Sequence, residues 1–366
     1  MPSIWDKGVY GLVYRGRAVD LTSRVDYITA HTKVIIFRQL GGGLADLDIL
    51  REHGFSQLEE WPAATMAEDE MRARLRALAA AEADAVIFFE TPRLMKRWQP
   101  ELEELGLRSQ LLPLVTMFLK EMLPRYRQVY EMLEDDASRQ AYTAHLSSRC
   151  KLMADHELAD AYCADQYFAV LEMLTFSADE VFVDCGAFVG DTVESYIQHC
   201  QGIFRKAIAF EPGPVQFAAM KKRFRRLEEE WALPSDRLVA VQAGVSDTPS
   251  HASLAGGAMS DNLIGTRLVE SGDEDAIAIV TLDEALKNQR VDFLKADIEG
   301  YEMAMLRGAE HLIRTQKPRI AICLYHKLTD PYEIPLYLRE LVPEYHFKVR
   351  QHAMNFTECV LYAYCL

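Results

Sequence analysis

Apolar positions along this chain fall into two rhythms, short unbroken runs and longer stretches spaced for one face of a helix. Near the start, KVIIF (33–37) and AVIFF (85–89) are continuous apolar runs of strand length. LADLDILREHG, EDEMRARLRALAAAEA and RLMKRWQPELEELGL carry helical spacing around them, and SQLLPLV reads as a third strand. Strands alternating with helices predict a small parallel α/β unit over about 1–120. The next stretch, 121–175, has helical period and reads as a linker, with Leu133, Ala137, Tyr142 and Leu146 as packing positions.

From 176 onward the alternation is regular. EVFVDCGAF (180–188), KAIAFEP (206–212), LVAVQAGVSD (238–247), VDFLKAD (291–297) and RIAICLY (319–325) read as five strands, most followed by a helical pattern. HFKVRQH and ECVLYAY add two strands with no helix between them. Five βα units closed by a hairpin predict an open doubly wound sheet with an antiparallel edge. Residues 251–275 interrupt this alternation and read as a loop, a hairpin, or a cover over substrate carrying Ser260 and Asn262.

Composition narrows the classes. The 366 residues give room for two cores, and half the chain is apolar. A net charge of −15 argues against a nucleic-acid partner, and the basic run KKRFRR (221–226) sits in a helix with compensating acids. Seven cysteines without a C-x-x-C pair read as buried thiols of a reducing compartment. With no signal-peptide pattern and no apolar run long enough for a membrane span, the expectation is a cytoplasmic protein, for which a homo-oligomer is compatible.

Ligands of such a sheet bind at the carboxyl ends of its strands. After the first comes Asp184-Cys185-Gly186-Ala187-Phe188-Val189-Gly190-Asp191-Thr192. Gly186 allows close approach of backbone to a ligand, Gly190 relieves crowding at the following helix, and Asp191 and Thr192 are N-cap candidates. Acids in this turn suit a cationic ligand better than a pyrophosphate. Glu211, ending the second strand, is placed for both hydroxyls of a ribose, and Gln242 and Ala243 for an adenine edge. S-adenosylmethionine fits these positions better than NAD or ATP. The earlier glycines Gly41, Gly42 and Gly43 follow a strand too, but Asp46 stands where a dinucleotide fingerprint needs a small residue.

FLKADIEGYE (293–302) brings three acids together. Asp297 ends the fourth strand and is a candidate base that orients the substrate hydroxyl, or a contact to the methionine ammonium; Glu299 begins the turn into a helix, where an acid caps or touches substrate; Glu302 reads as a solvated or capping acid. His326, just after the fifth strand, is a base candidate able to titrate near neutral pH. A metal would want more ligands from neighbouring strand ends, and with only Asp261-Asn262 as a visible supplement, none is expected.

VFVDCGAFVGDT, AIAFEPGPVQF, VAVQAGVSD, VTLDEAL and VDFLKADIEGYEMAMLRGAEHLI together resemble the FkbM family of methyltransferases over about 180–325, and the flanks resemble long bacterial members. The resemblance implies a Rossmann-like class I methyltransferase fold over 176–366, preceded by a degenerate Rossmann-like unit. It further implies S-adenosylmethionine-dependent O-methylation of a small-molecule or glycan acceptor. Asp184, Gly186 and Gly190 match the cofactor loop, Glu211 the ribose acid, and Asp297 and Glu299 the D-x-E-G motif. The alternative expectation is a catalytically silent cofactor-binding or scaffold protein.

Overall fold

The computed structural model describes residues 11–14, 17–20, 32–37, 57–63, 65–81, 84–89, 92–110, 114–151, 156–254, 268–270 and 277–365. Gly41, Gly42, Gly43, Asp46, Ser260 and Asn262 therefore lie outside the described residues. The chain divides into two compact units, residues 1–127 with 145–155, and residues 128–144 with 156–366.

In the first unit, β1 (Gly11–Tyr14) and β2 (Arg17–Asp20) form an antiparallel pair. β3 (Lys33–Phe37), β4 (Leu58–Trp61), β5 (Ala85–Phe89) and β6 (Arg108–Gln110) form a parallel sheet in the order β4-β3-β5-β6. β4 was not apparent from the pattern because LEEW is mostly polar. SQLLPLV supplies only Ser109 and Gln110 to a strand, and a helix runs from Leu114 to Met132. Helices Glu68–Ala80 and Pro92–Glu104 bury Met71, Leu75, Trp98 and Leu102 with Phe37 and Phe89 of the sheet, as their spacing predicts.

The second unit holds β7 (Val181–Cys185), β8 (Lys206–Phe210), β9 (Leu238–Val241), β10 (Gly244–Val245), β11 (Ser250–Leu254), β12 (Leu268–Glu270), β13 (Ile277–Val280), β14 (Phe293–Ala296), β15 (Arg319–Cys323), β16 (His346–Gln351) and β17 (Cys359–Tyr364). Seven of them make one sheet in the order β16-β17-β15-β14-β7-β8-β9. β9, β8, β7, β14 and β15 are parallel, and β17 runs antiparallel to both β15 and β16. The order reverses between β7 and β14, so a crevice opens beyond their carboxyl ends. β7 and β14 are buried along their whole length, which is why VFVDC and FLKA read as continuous runs. The interruption after β9 is a second small sheet, β10-β13-β11-β12, in which β11 and β12 form a hairpin.

Part of the middle region packs inside this second unit. Tyr142 donates to the Pro331 carbonyl at 2.8 Å, and Asp135 binds Arg350 at 2.8 Å and caps Ser138 N at 2.7 Å. Leu133 and Tyr142 are buried as expected; Ala137 is exposed, and Ser138 takes the inward position beside it. Cys185, Cys200, Cys323 and Cys359 are buried free thiols. No helix among the described residues is long and apolar enough to cross a membrane.

Candidate active site

The site starts from a cross-strand pair. Asp184 on β7 stands in register with Lys295 on β14, and neighbouring residues of parallel strands point to the same face. Lys295 Nζ lies 2.9 Å from Asp184 Oδ1 and donates to the Gly186 carbonyl at 2.8 Å. Burial works against the charge, but Asp184 and Asp297 hold the Lys295 ammonium above its ordinary range. Asp184 is completely enclosed, and its carboxylate pairs with Lys295.

One step further along both strands the chains nearly touch. Asp297 N donates to the Cys185 carbonyl at 3.0 Å, and a Cβ on Gly186 would lie 1.8 Å from the Asp297 carbonyl oxygen. Gly186 also has φ +78°, so glycine is required here by the neighbouring strand end as well as by the turn. Gly190, at φ +80°, is the N-cap of helix Asp191–His199, where a Cβ would crowd Phe224 and Met220. Asp191 and Thr192 are therefore the first helical residues, and neither caps; Asp191 is exposed.

Glu211 follows β8 and is buried. Its Oε2 accepts from Phe188 N at 2.9 Å and its Oε1 from Gly213 N at 2.7 Å. Burial pushes the carboxyl up to about 7 against the pull of those two N–H groups. Each oxygen keeps a lone pair beyond its backbone bond. Gln242 and Ala243 lie between β9 and β10, Gln242 exposed and Ala243 buried.

Asp297 is the centre of the acidic end. Its Oδ2 accepts from Tyr167 OH at 2.9 Å and its Oδ1 from Tyr325 OH at 3.1 Å, with His326 Nε2 3.5 Å from Oδ1. Burial would raise this carboxyl, but His326, Lys295 and the two hydroxyls hold it below its usual range. Glu299 has φ +55° next to Gly300 at +94°, so the turn out of β14 is left-handed at both residues. That turn brings Glu299 Oε2 to 3.6 Å from His326 Nε2.

Glu302 corrects the sequence reading. It is fully buried, accepts from Ile298 N at 2.9 Å, and stands 2.9 Å from His326 Nδ1. A carboxylate that caps the turn from inside the helix faces inward, not to water. His326 is corrected with it. Burial opposes its charge, yet Glu302, Asp297 and Glu299 lift the imidazole to about 10, so it is protonated at neutral pH. An imidazolium has no lone pair to take a proton, so of the two base candidates His326 is not free to act as one in this state. Burial and Glu302 push Asp330, near by, up to about 8.

Tyr167, Tyr325, Lys295 and Glu358 were missed from the sequence. Tyr325 hydroxyl also approaches Glu358 at 3.4 Å, and Lys295 lies 5.1 Å from the Tyr167 ring centroid. A lysine inside an apolar strand run was a visible signal, since such a charge needs a buried partner. Tyr167 gave none: it reaches Asp297 across 130 positions, from a segment with φ +70°.

The carboxyl ends of four neighbouring strands, β8, β7, β14 and β15, thus carry Glu211, Gly186, Asp297 with Glu299, and His326, the last in contact with Asp297 and Glu299. Residues 184–351 match the family model described as the methyltransferase FkbM domain. No curated protein matches the sequence. Among solved structures, the crystal structure of a methyltransferase FkbM from Methylobacillus flagellatus KT is similar over 91% of this chain and 90% of that one, with a TM-score of 0.57 at 20% identity. An rRNA methylase from Streptococcus thermophilus is more distant, with a TM-score of 0.36 at 11% identity over 56% of this chain and 99% of that one. The family model thus lies on the strand ends that build the site, and the fold is shared with a solved FkbM methyltransferase along nearly the whole chain, so residues 184–351 are similar to the methyltransferase FkbM domain.

Proposed function

We propose that the protein is an S-adenosylmethionine-dependent O-methyltransferase acting on a hydroxyl of a sugar, glycan or related small molecule. Residues 176–366 carry this chemistry in our reading. The observation that carries it is Glu211: a buried acid ending the second strand, fixed by two backbone N–H groups, with a lone pair left on each oxygen. Two acceptors held side by side match the two adjacent hydroxyls of a ribose.

When bound, the cofactor supplies a methyl group on a sulfonium. The protein's task is then to hold the acceptor oxygen in line behind that methyl, and positioning of this kind lowers barriers by up to about 7–11 kcal/mol. Asp297 is ionised and lies beside the cofactor loop through Gly186. It accepts the hydrogen bond of the acceptor hydroxyl and takes its proton as the oxygen is methylated. Tyr167 and Tyr325 fix both carboxylate oxygens, so the group is preorganised rather than mobile. Glu299, half-exposed at the mouth, faces the acceptor.

Glu211→Ala is expected to weaken S-adenosylmethionine binding at least tenfold by calorimetry; unchanged affinity would remove the ribose assignment. The pH dependence follows from the same group. A carboxyl raised to about 7 in the free protein binds a proton that the unfolded chain, near 4.5, has already released. Its contribution to folding stability therefore declines as pH rises from 4.5 to 7. Cofactor binding, which uses the ionised form, strengthens over the same rise. Affinity at pH 8 should exceed that at pH 6 by about tenfold, and Glu211→Gln should flatten the profile.

A further inference from the structure

Three carboxylates, Asp297, Glu299 and Glu302, converge on the single imidazole of His326. Lys295 is shared between Asp184 and Asp297, so the carboxylates still outnumber the cations among them. One ligand atom each from Asp297, Glu302 and His326 lies within 4.8 Å of the other two. A second observation is independent of this clustering. Glu302 is fully buried and its Oε2 has no hydrogen-bond partner, and both His326 ring nitrogens are buried without an aligned one. Groups of this kind are costly to bury unsatisfied, and a cation coordinated by them removes the cost.

We propose that Asp297, Glu302 and His326 form a binding site for a divalent cation. Two carboxylate oxygens and one imidazole nitrogen suit magnesium or manganese better than the thiolate-seeking metals. On binding, His326 gives its ring proton to solvent and lends that lone pair to the ion. Three protein ligands leave coordination positions open for the acceptor. The ion therefore selects acceptors that carry two adjacent oxygens, a vicinal diol or a hydroxy acid, and polarises the hydroxyl that Asp297 faces. This last role rests on the methyltransferase reading; ion binding itself does not.

Manganese titrated into the full-length chain, freed of metal with a chelator, tests the site by the electron paramagnetic resonance signal of the free ion. One ion per chain is expected, with spin-echo modulation from a directly bound imidazole nitrogen. Glu302→Gln and His326→Ala should each weaken binding at least tenfold. Glu344→Gln, an exposed acid paired with Lys317, should bind as the wild type does. A wild-type chain that leaves the free-ion signal undiminished, or binds manganese without nitrogen modulation, overturns the proposal. So does equal affinity in a folded Glu302→Gln or His326→Ala variant; if neither folds, the two wild-type readouts decide. S-adenosylmethionine added in parallel separates the two readings: cofactor binding without ion binding sinks only the cation site, and the reverse sinks only the methyltransferase assignment.

Discussion

Asp297→Asn should lower turnover by roughly 10²-fold or more while changing cofactor affinity far less, in line with the weight of a positioned base. The substitution preserves shape but not chemistry. It removes the charge that faces Lys295 and His326, and it places an NH₂ donor against one of two tyrosine hydroxyls that now donate to the carboxylate. The pH profile adds a check. Because Asp297 is held below the usual carboxylate range, it stays ionised through mildly acidic conditions and contributes no acid limb there. The limb near pH 7 that Glu211 contributes should vanish in Glu211→Gln and persist in Asp297→Asn. Tyr325→Phe, which deletes one of the two hydroxyl donors, should cost less, about tenfold. Steady-state kinetics with separate kcat and KM values decide the matter. A folded Asp297→Asn variant with wild-type kcat would remove Asp297 from the chemistry.

Gly186→Ala should be the most damaging single change to the fold of the site. A side chain at φ +78° costs about 1–2 kcal/mol. Its Cβ would also fall 1.8 Å from the Asp297 carbonyl oxygen, a backbone atom of a central strand end that cannot step aside. Together these predict a loss of about 3 kcal/mol or more, and a fall in Tm of about 6–12 °C for a unit of this size. Gly106→Ala provides the comparison: it has a similar φ of +68° but open space around the new Cβ, so only the conformational part should appear. Thermal unfolding of both variants measures the difference. If Gly186→Ala costs no more than Gly106→Ala, the close approach of β7 and β14 is not what fixes glycine there.

The fold of the second unit was legible because its central strands are buried on both faces, so VFVDC, KAIAF, FLKA and RIAIC stand out as apolar runs. β4 and the small sheet after β9 were hidden by mixed, partly polar strands whose pairing partners are distant or short. The site divided in the same way. Glu211 and Asp297 could be placed because strand ends are where ligands bind, and the strands themselves were visible. What a strand-end residue does could not be read so directly. Asp184 looked like a ligand contact, and its pairing with Lys295 was not visible without the register of β7 and β14. Glu302 looked solvated because three acids within six residues suggest a wet turn. His326 was assigned its ordinary titration because the carboxylates that raise it come from a different strand end, Glu302 among them as an inward-facing group. Tyr167 lies in irregular chain, where no periodicity points toward a partner.

The central claim is that Asp297 receives the proton of a hydroxyl methylated at this crevice. It is tested most directly by incubating the chain with methyl-labelled S-adenosylmethionine and extract fractions rich in hydroxylated small molecules and glycans. The account predicts label recovered on oxygen as a base-stable ether in the wild type, and a loss of roughly 10²-fold or more in Asp297→Asn at matched cofactor occupancy. A wild-type chain that binds the cofactor and labels no acceptor, or an Asp297→Asn chain that labels as fast as the wild type, would contradict it.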